Sequence, residues 1–248
     1  MRESPLRLND KTVILYGPGH SLTQGLASFL NEQGADVAFV GPYAGSMRKF
    51  ADNLMDNRQV NQSFGRSASF EMKLESEKDD LDAISQVTQT LGGFEVIIDT
   101  HLDAFTSDTM MDCHRVRMAK SALKFLESRK RGRVIFMSNL YELKSAGAYD
   151  LVETSDDALH KLINELKLAS FDKNITINGI KAGITEEFLL NNFKGVPLKE
   201  SIENFKTKYP GFFLVEALEV ATTATFLSSP ISSGISGHII KVNKGLKI

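Results

Sequence analysis

The sequence predicts an α/β fold: one doubly wound parallel sheet of about seven strands, with helices on both faces. Three observations carry this. Strand and helix signals alternate from end to end. Several strand signals are unbroken apolar runs. The first run empties into a Gly-Pro-Gly turn followed at once by a helix start. Runs such as Thr-Val-Ile-Leu-Tyr at 12–16 and Arg-Val-Ile-Phe-Met at 133–137 suit parallel strands covered on both faces.

Strands are expected at 12–16, 36–40, 67–70, 96–99, 134–138, 175–180 and 238–242, and helices near 21–33, 45–57, 77–91, 112–130, 150–172 and 215–228. No linker, repeat or low-complexity tract interrupts them, so 1–248 reads as one domain. The stretch 184–213 breaks the rhythm with Phe188, Phe193, Phe205, Phe212 and Phe213 and two helix-like pieces. Beyond the carboxyl ends of the strands it is placed to act as a lid or apolar substrate wall. Its aromatics could equally pack the domain edge, and a lid segment can do both.

Composition narrows the function classes. Apolar residues make up 42% of the 248, enough for a large core. With 29 basic and 31 acidic residues the net charge is −2, which gives no footprint for nucleic acid or an anionic membrane surface. The single cysteine, Cys113, excludes an internal disulfide and fits a reducing compartment. Residues 1–10 lack the apolar core of a signal peptide, and no apolar run reaches the ~20 residues of a membrane helix. The cytoplasm is the expected location.

The turn at 17–19 has the form of a phosphate cradle in a Rossmann-like fold. Gly17 and Gly19 let backbone approach a ligand, and Gly25 lets the helix lie near the first strand. Ser21, with Gln24 three residues on, reads as a capping box. The free amides after Ser21, at a positive helix end, would hold a pyrophosphate. A plain glycine turn before a helix is the alternative reading.

Three stretches make the chain similar to the short-chain dehydrogenase/reductase superfamily, and within it to the enoyl-acyl-carrier-protein reductase branch. Ser21-Leu22-Thr23-Gln24-Gly25-Leu26-Ala27 resembles that branch's Ser-Ile-Ala-x-Gly-Ile-Ala. Asn178-Gly179-Ile180-Lys181-Ala182-Gly183 resembles Asn-Ala-Ile-Ser-Ala-Gly. The stretch 227–243 resembles the branch's C-terminal helix end and last strand most specifically. The resemblance implies NAD or NADP as cofactor, an acyl-thioester ligand with an acyl carrier protein, fatty acid biosynthesis, and a homo-oligomer, dimer or tetramer. It places the pyrophosphate against Gly17, Gly19, Ser21 and Leu22, the adenine near Lys73 and Leu74, and the ribose and nicotinamide near Thr100 and Ile184.

The same comparison implies departures. A lysine, Lys73, stands where the branch usually has an acid, and cannot accept the adenine amine's hydrogen bond. Gly41-Pro42 offers neither an acid for a ribose hydroxyl nor an arginine for a 2′-phosphate. Leu102 takes a glycine position beside the expected cofactor. Aligned without gaps from Ser138, Tyr149 falls at the active tyrosine, Asn139 at the second tyrosine and Asp156 at the active lysine. If 149–156 is helical, Tyr149 and Asp156 share a face. A carboxylate there opposes the anion that hydride addition creates. His160, one turn beyond Asp156, forms either a replacement acid–base relay with it or an ordinary i, i+4 pair. His20 and His101 line the expected cleft as loop or packing residues.

Three functions therefore stand at this level: an active NAD(P)H-dependent reductase working through Tyr149, a catalytically impaired scaffold that binds a ligand, acyl carrier or partner subunit, and a purely structural oligomer partner. The second is the reading the residues favour. The apolar stripe Leu159, Leu162, Ile163, Leu166 and Ala169 is either core or subunit interface.

Overall fold

The computed structural model describes residues 6–42, 44–73, 75–105, 113–170 and 172–248. The chain runs through β1 (Thr12–Tyr16), α1 (Ser21–Glu32), β2 (Asp36–Gly41), α2 (Ala44–Val60), β3 (Ser67–Glu71), α3 (Glu77–Leu91), β4 (Val96–Asp99) and α4 (His114–Arg129). It continues through β5 (Gly132–Asn139), β6 (Tyr141–Leu143), β7 (Leu151–Glu153), α5 (Asp157–Ala169), β8 (Ile175–Ala182), α6 (Glu186–Asn192), α7 (Leu198–Lys208), α8 (Ala217–Ser228) and β9 (Ile239–Val242). Seven strands form one parallel sheet in the order β3-β2-β1-β4-β5-β8-β9, as the apolar runs predict. The order reverses between β1 and β4, and a doubly wound sheet binds ligands beyond the strand ends at such a point.

The central strands are mostly apolar because both sheet faces are covered. Ile14, Phe136 and Ile177 pack with residues of α3, α4 and α5 on one face. Val13, Leu15, Ile135 and Ile180 pack with residues of α1, α2 and α8 on the other. The α5 stripe is settled as core at Leu159, Leu162, Ile163 and Leu166, all buried, whereas Ala169 is exposed. Among the described residues no helix is long and apolar enough to cross a membrane.

The expected helix at 150–172 is corrected: α5 begins only at Asp157. Leu151–Glu153 pairs antiparallel with Tyr141–Leu143 in a separate two-stranded sheet that the sequence reading lacked. Leu151 is buried and Val152 exposed, so the segment alternates as a strand does. Ser155 Oγ then accepts the Asp157 amide at 3.1 Å and turns the chain into the helix. Tyr149 and Asp156 therefore share no helix face. Two acids ahead of the helix pair with cations from elsewhere: Asp150 with Lys208, and Glu153 with Lys241.

Segment 184–213 forms α6 and α7. Phe188, Phe193, Phe205 and Phe212 bury in a third apolar cluster with Leu140, Tyr141 and Leu151, while Phe213 stays exposed. Gly25 has a different neighbour from the one expected. A Cβ there would lie 2.8 Å from that of Ala217, so this glycine sets the approach of α1 to α8 rather than to β1.

A buried polar knot closes the end of β4. Asp99 Oδ1 accepts from His101 Nδ1 at 2.6 Å and from the His101 amide at 3.1 Å, and Oδ2 accepts from Arg115 Nε at 2.6 Å. The Arg115 fork also donates to the carbonyls of His101, Asp103 and Met137. Beside it, Tyr16 and His114 join through hydroxyl and Nδ1 at 2.8 Å. Burial pushes the Tyr16 hydroxyl far above the usual tyrosine range, and burial also pulls His114 down, so both partners favour their neutral forms.

Two measurements follow. Gly25→Val should cost about 1–3 kcal/mol by urea unfolding, since overpacking must part α1 from α8. Burial opposes ionisation of Asp99, yet Arg115 and His101 hold its carboxyl below the usual range. Its stabilisation is therefore present above the unfolded aspartate pKa of about 3.9 and lost as pH falls through the folded value. Asp99→Asn should cost about 3–5 kcal/mol at neutral pH, by stranding Arg115, and should flatten the acid limb of a stability–pH curve below pH ~4.

Candidate functional site

The carboxyl ends of β1 and β4 meet at Gly17. Its φ of 135° favours glycine, and a Cβ would lie 2.8 Å from His101 Nδ1 and 2.9 Å from Thr100 Oγ1. The opening of α1 differs from the expected capping box. The cap is His20, not Ser21: its Nδ1 accepts the Thr23 amide at 3.2 Å. Its Nε2 lies 3.0 Å from the Thr100 carbonyl, which can only accept, so the proton is on Nε2 and Nδ1 is free for capping. Gln24 Nε2 donates to the Gly19 carbonyl. His20 thus ties the helix start to the end of β4, a structural task of the kind expected for it.

Ser21 becomes the first residue of the helix, and its donors face a protein carboxylate. Glu187 Oε2, from α6, accepts from the Ser21 amide at 3.2 Å and from Ser21 Oγ at 3.0 Å. Glu187 Oε1 accepts from Asn191 Nδ2 at 3.0 Å. Met47 of α2 covers Gly19 closely: a Cβ there would lie 2.1 Å from its sulfur. The positive end of α1 already holds an anion, and the glycine that should admit a pyrophosphate is overlain by a thioether.

The other expected cofactor positions are engaged in packing. Leu22 is buried in the core, and Ile184 is buried in the cluster around α6 and α7. Thr100 spends both its amide and its Oγ1 on the Tyr16 carbonyl. Leu102 is buried against the sheet. Leu74 lies outside the described residues. The residues present do not fit a bound dinucleotide.

The expected catalytic residues are not brought together. Tyr149 stacks on Phe193, with centroids 4.5 Å apart and planes 12° apart, and meets Phe205 edge-on. Its hydroxyl accepts from Asn204 Nδ2 at 3.0 Å. Asp156 lies between two lysines, with Oδ1 2.6 Å from Lys181 Nζ and Oδ2 3.1 Å from Lys241 Nζ. Lys181, buried on β8, also donates to the Thr154 and Ser155 carbonyls, so all three of its protons are used. Burial disfavours the Asp156 carboxylate, but hydrogen bonds from Lys181 and Lys241 outweigh this and hold it below the usual range. The Asp156 carboxylate faces the two lysines, and the hydrogen bond that joins Asp156 to His160 runs from the His160 amide to the Asp156 carbonyl.

Asn139 does reach a cleft. It lines a cavity of ≈ 570 Å³ together with Leu102, Asp103, Glu142, Phe188 and Asn191. Asn139 Oδ1 has no hydrogen-bond partner. Tyr141 lines the same cavity, but its hydroxyl donates to the Leu246 carbonyl at 2.8 Å. Glu187, Met47, Lys181 and the Asp99–Arg115 pair were not anticipated from sequence. Asp99 and Lys181 left a signal, each being a charge inside an apolar strand; Glu187 and Met47 left none.

Comparison with known proteins places this geometry. A family model described as Enoyl-(Acyl carrier protein) reductase matches residues 17–247. The chain is 25% identical over 264 residues to the uncharacterized oxidoreductase YvaG of Bacillus subtilis (strain 168), covering 97% of each chain. It is 23% identical over 252 residues to the enoyl-acyl-carrier-protein reductase (NADH) FabI of Enterococcus faecalis (strain ATCC 700802 / V583), covering 97% of this chain and 99% of that one. Among solved structures, hydroxysteroid dehydrogenase from Escherichia coli shares the fold with a TM-score of 0.74 at 18% identity, covering 98% of this chain and 99% of that one. With the family model spanning nearly the whole length and the parallel sheet in place, the chain belongs to the short-chain dehydrogenase/reductase superfamily, in its enoyl-acyl-carrier-protein reductase family.

Proposed function

We propose that this chain is a non-catalytic member of its oxidoreductase family, one that keeps the scaffold to bind a ligand, acyl carrier or partner subunit. The observation that carries this reading is the commitment of Tyr149. Its ring packs against Phe193 and Phe205, its hydroxyl accepts from Asn204, and it is not among the residues that line the cavity at Asn139. Reduction of an enoyl thioester or a carbonyl builds negative charge on oxygen, which needs an aimed donor or cation. Among the described residues the cavity at Asn139 offers side-chain amides and carboxylates to such an oxygen, but no cation. Asp103 and Glu142 bring carboxylates to it, no lysine, arginine or histidine lines it among the described residues, and the Tyr141 proton goes to Leu246. The same polar wall suits a small polar ligand better than an acyl chain.

The competing reading is an active NAD(P)H-dependent reductase, motivated by the NADH in the name of the Enterococcus faecalis relative. Purified protein with NADH or NADPH and crotonyl thioester should show no coenzyme oxidation at 340 nm above the enzyme-free rate. Sustained turnover would overturn the proposal. Asp156→Lys, which would restore the family's charge at that position, should not create activity. It places a third ammonium beside Lys181 and Lys241, and should lower the melting temperature.

A further inference from the structure

Glu187 satisfies a demand that a separate anion would otherwise meet. The amides of the first turn of α1 have no partners inside the helix, and the helix dipole makes that end positive. Ser21 supplies both of its donors, amide and hydroxyl, to one carboxylate oxygen. The other oxygen is braced by Asn191, one turn further along α6. The helix is fixed on its other side: Thr185 caps it through the Phe188 amide, and Phe188 and Leu189 are buried. Glu187 therefore projects toward α1 from an anchored helix and is held by three hydrogen bonds. The contact lies at the protein surface, so turning one side chain outward would free the Ser21 donors without unpacking α6.

We infer that Glu187 is an intramolecular plug: it mimics an anion at the amino end of α1 and excludes phosphate-bearing ligands from that end until its side chain is displaced. The proposal concerns binding and stands whether or not the chain turns over a substrate. Like charge at the mouth adds to simple occupancy, since a pyrophosphate would meet the Glu187 carboxylate as well as lose the Ser21 donors. Met47 over Gly19 is a softer obstacle, because an unbranched thioether side chain adopts other rotamers readily.

The test is calorimetric titration with inorganic pyrophosphate, with no coenzyme present. The native chain should show no saturable binding in the low-millimolar range. Glu187→Ala and Glu187→Gln should each bind at least about tenfold tighter, the alanine more so because glutamine still offers a neutral acceptor to Ser21. Met47→Ala alone should remain without binding. Adding Ser21→Asp to Glu187→Ala returns a carboxylate to the same end and should abolish the gain, which locates the site. Thermal melts check that each variant is folded. Pyrophosphate binding by the native chain as tight as by Glu187→Ala would overturn the plug, as would no gain in both folded Glu187 variants. Neither result bears on coenzyme oxidation, so this proposal and the non-catalytic reading can fail separately.

Discussion

The amino end of α1 is the constraint around which the rest of this site is arranged. Helix amides there must find partners outside the helix. His20 takes the Thr23 amide with Nδ1, and that choice of nitrogen sends the other ring proton to the Thr100 carbonyl. Thr100 in turn gives its amide and hydroxyl to the end of β1 at Tyr16. The helix start, the loop after β4 and the last residue of β1 are thereby one hydrogen-bonded unit, with Gly17 closely packed against it. The donors of Ser21 fall to Glu187. A dinucleotide-binding scaffold leaves this end open to a ligand; here the protein satisfies it from its own chain.

Buried charge reinforces the same arrangement. Asp99, Arg115, Asp80 and Lys181 are all nearly inaccessible, and each has an oppositely charged partner. Such pairs add little net stability over apolar replacements, but leaving one member alone is costly, so they act mainly as geometric pins. Arg115 illustrates this. It bonds Asp99 and three backbone carbonyls, and two of those carbonyls belong to the loop carrying Leu102. Leu102 is thus held at the cleft by a network that cannot yield locally without exposing an unpaired guanidinium. A bulky residue in a glycine position would matter less on a loop free to move.

What the sequence disclosed follows from the range of the forces involved. The seven parallel strands were legible because a strand covered on both faces is largely apolar, a pattern that acts within the strand itself. The Ser21 cap failed because local preference favours serine, whereas His20 wins through a contact with Thr100, eighty residues away. The strand at 151–153 was read as helix because its partner at 141–143, which decides the matter, lies across a turn. Glu187 was silent: an acid in the first turn of a short helix looks ordinary, and its partner Ser21 is 166 residues distant. Lys181 was half legible, since an ammonium in a buried strand requires a counter-charge but does not name it.

Asp156 illustrates how a residue type can mislead when its surroundings are unknown. Taken alone, a carboxylate in a lysine position reverses the local field. In the fold, Lys181 supplies the ammonium from the neighbouring strand, and Lys241 balances Glu153 as well as touching Asp156. Two cations and two anions cancel, so the reversed field expected at Tyr149 does not arise. The case against hydride chemistry therefore rests on placement instead. The tyrosine ring stacks on Phe193 and lines no part of the cavity at Asn139, and the ammonium is buried with every proton engaged. Restoring a charge at position 156 does not bring the Tyr149 hydroxyl to the walls of that cavity.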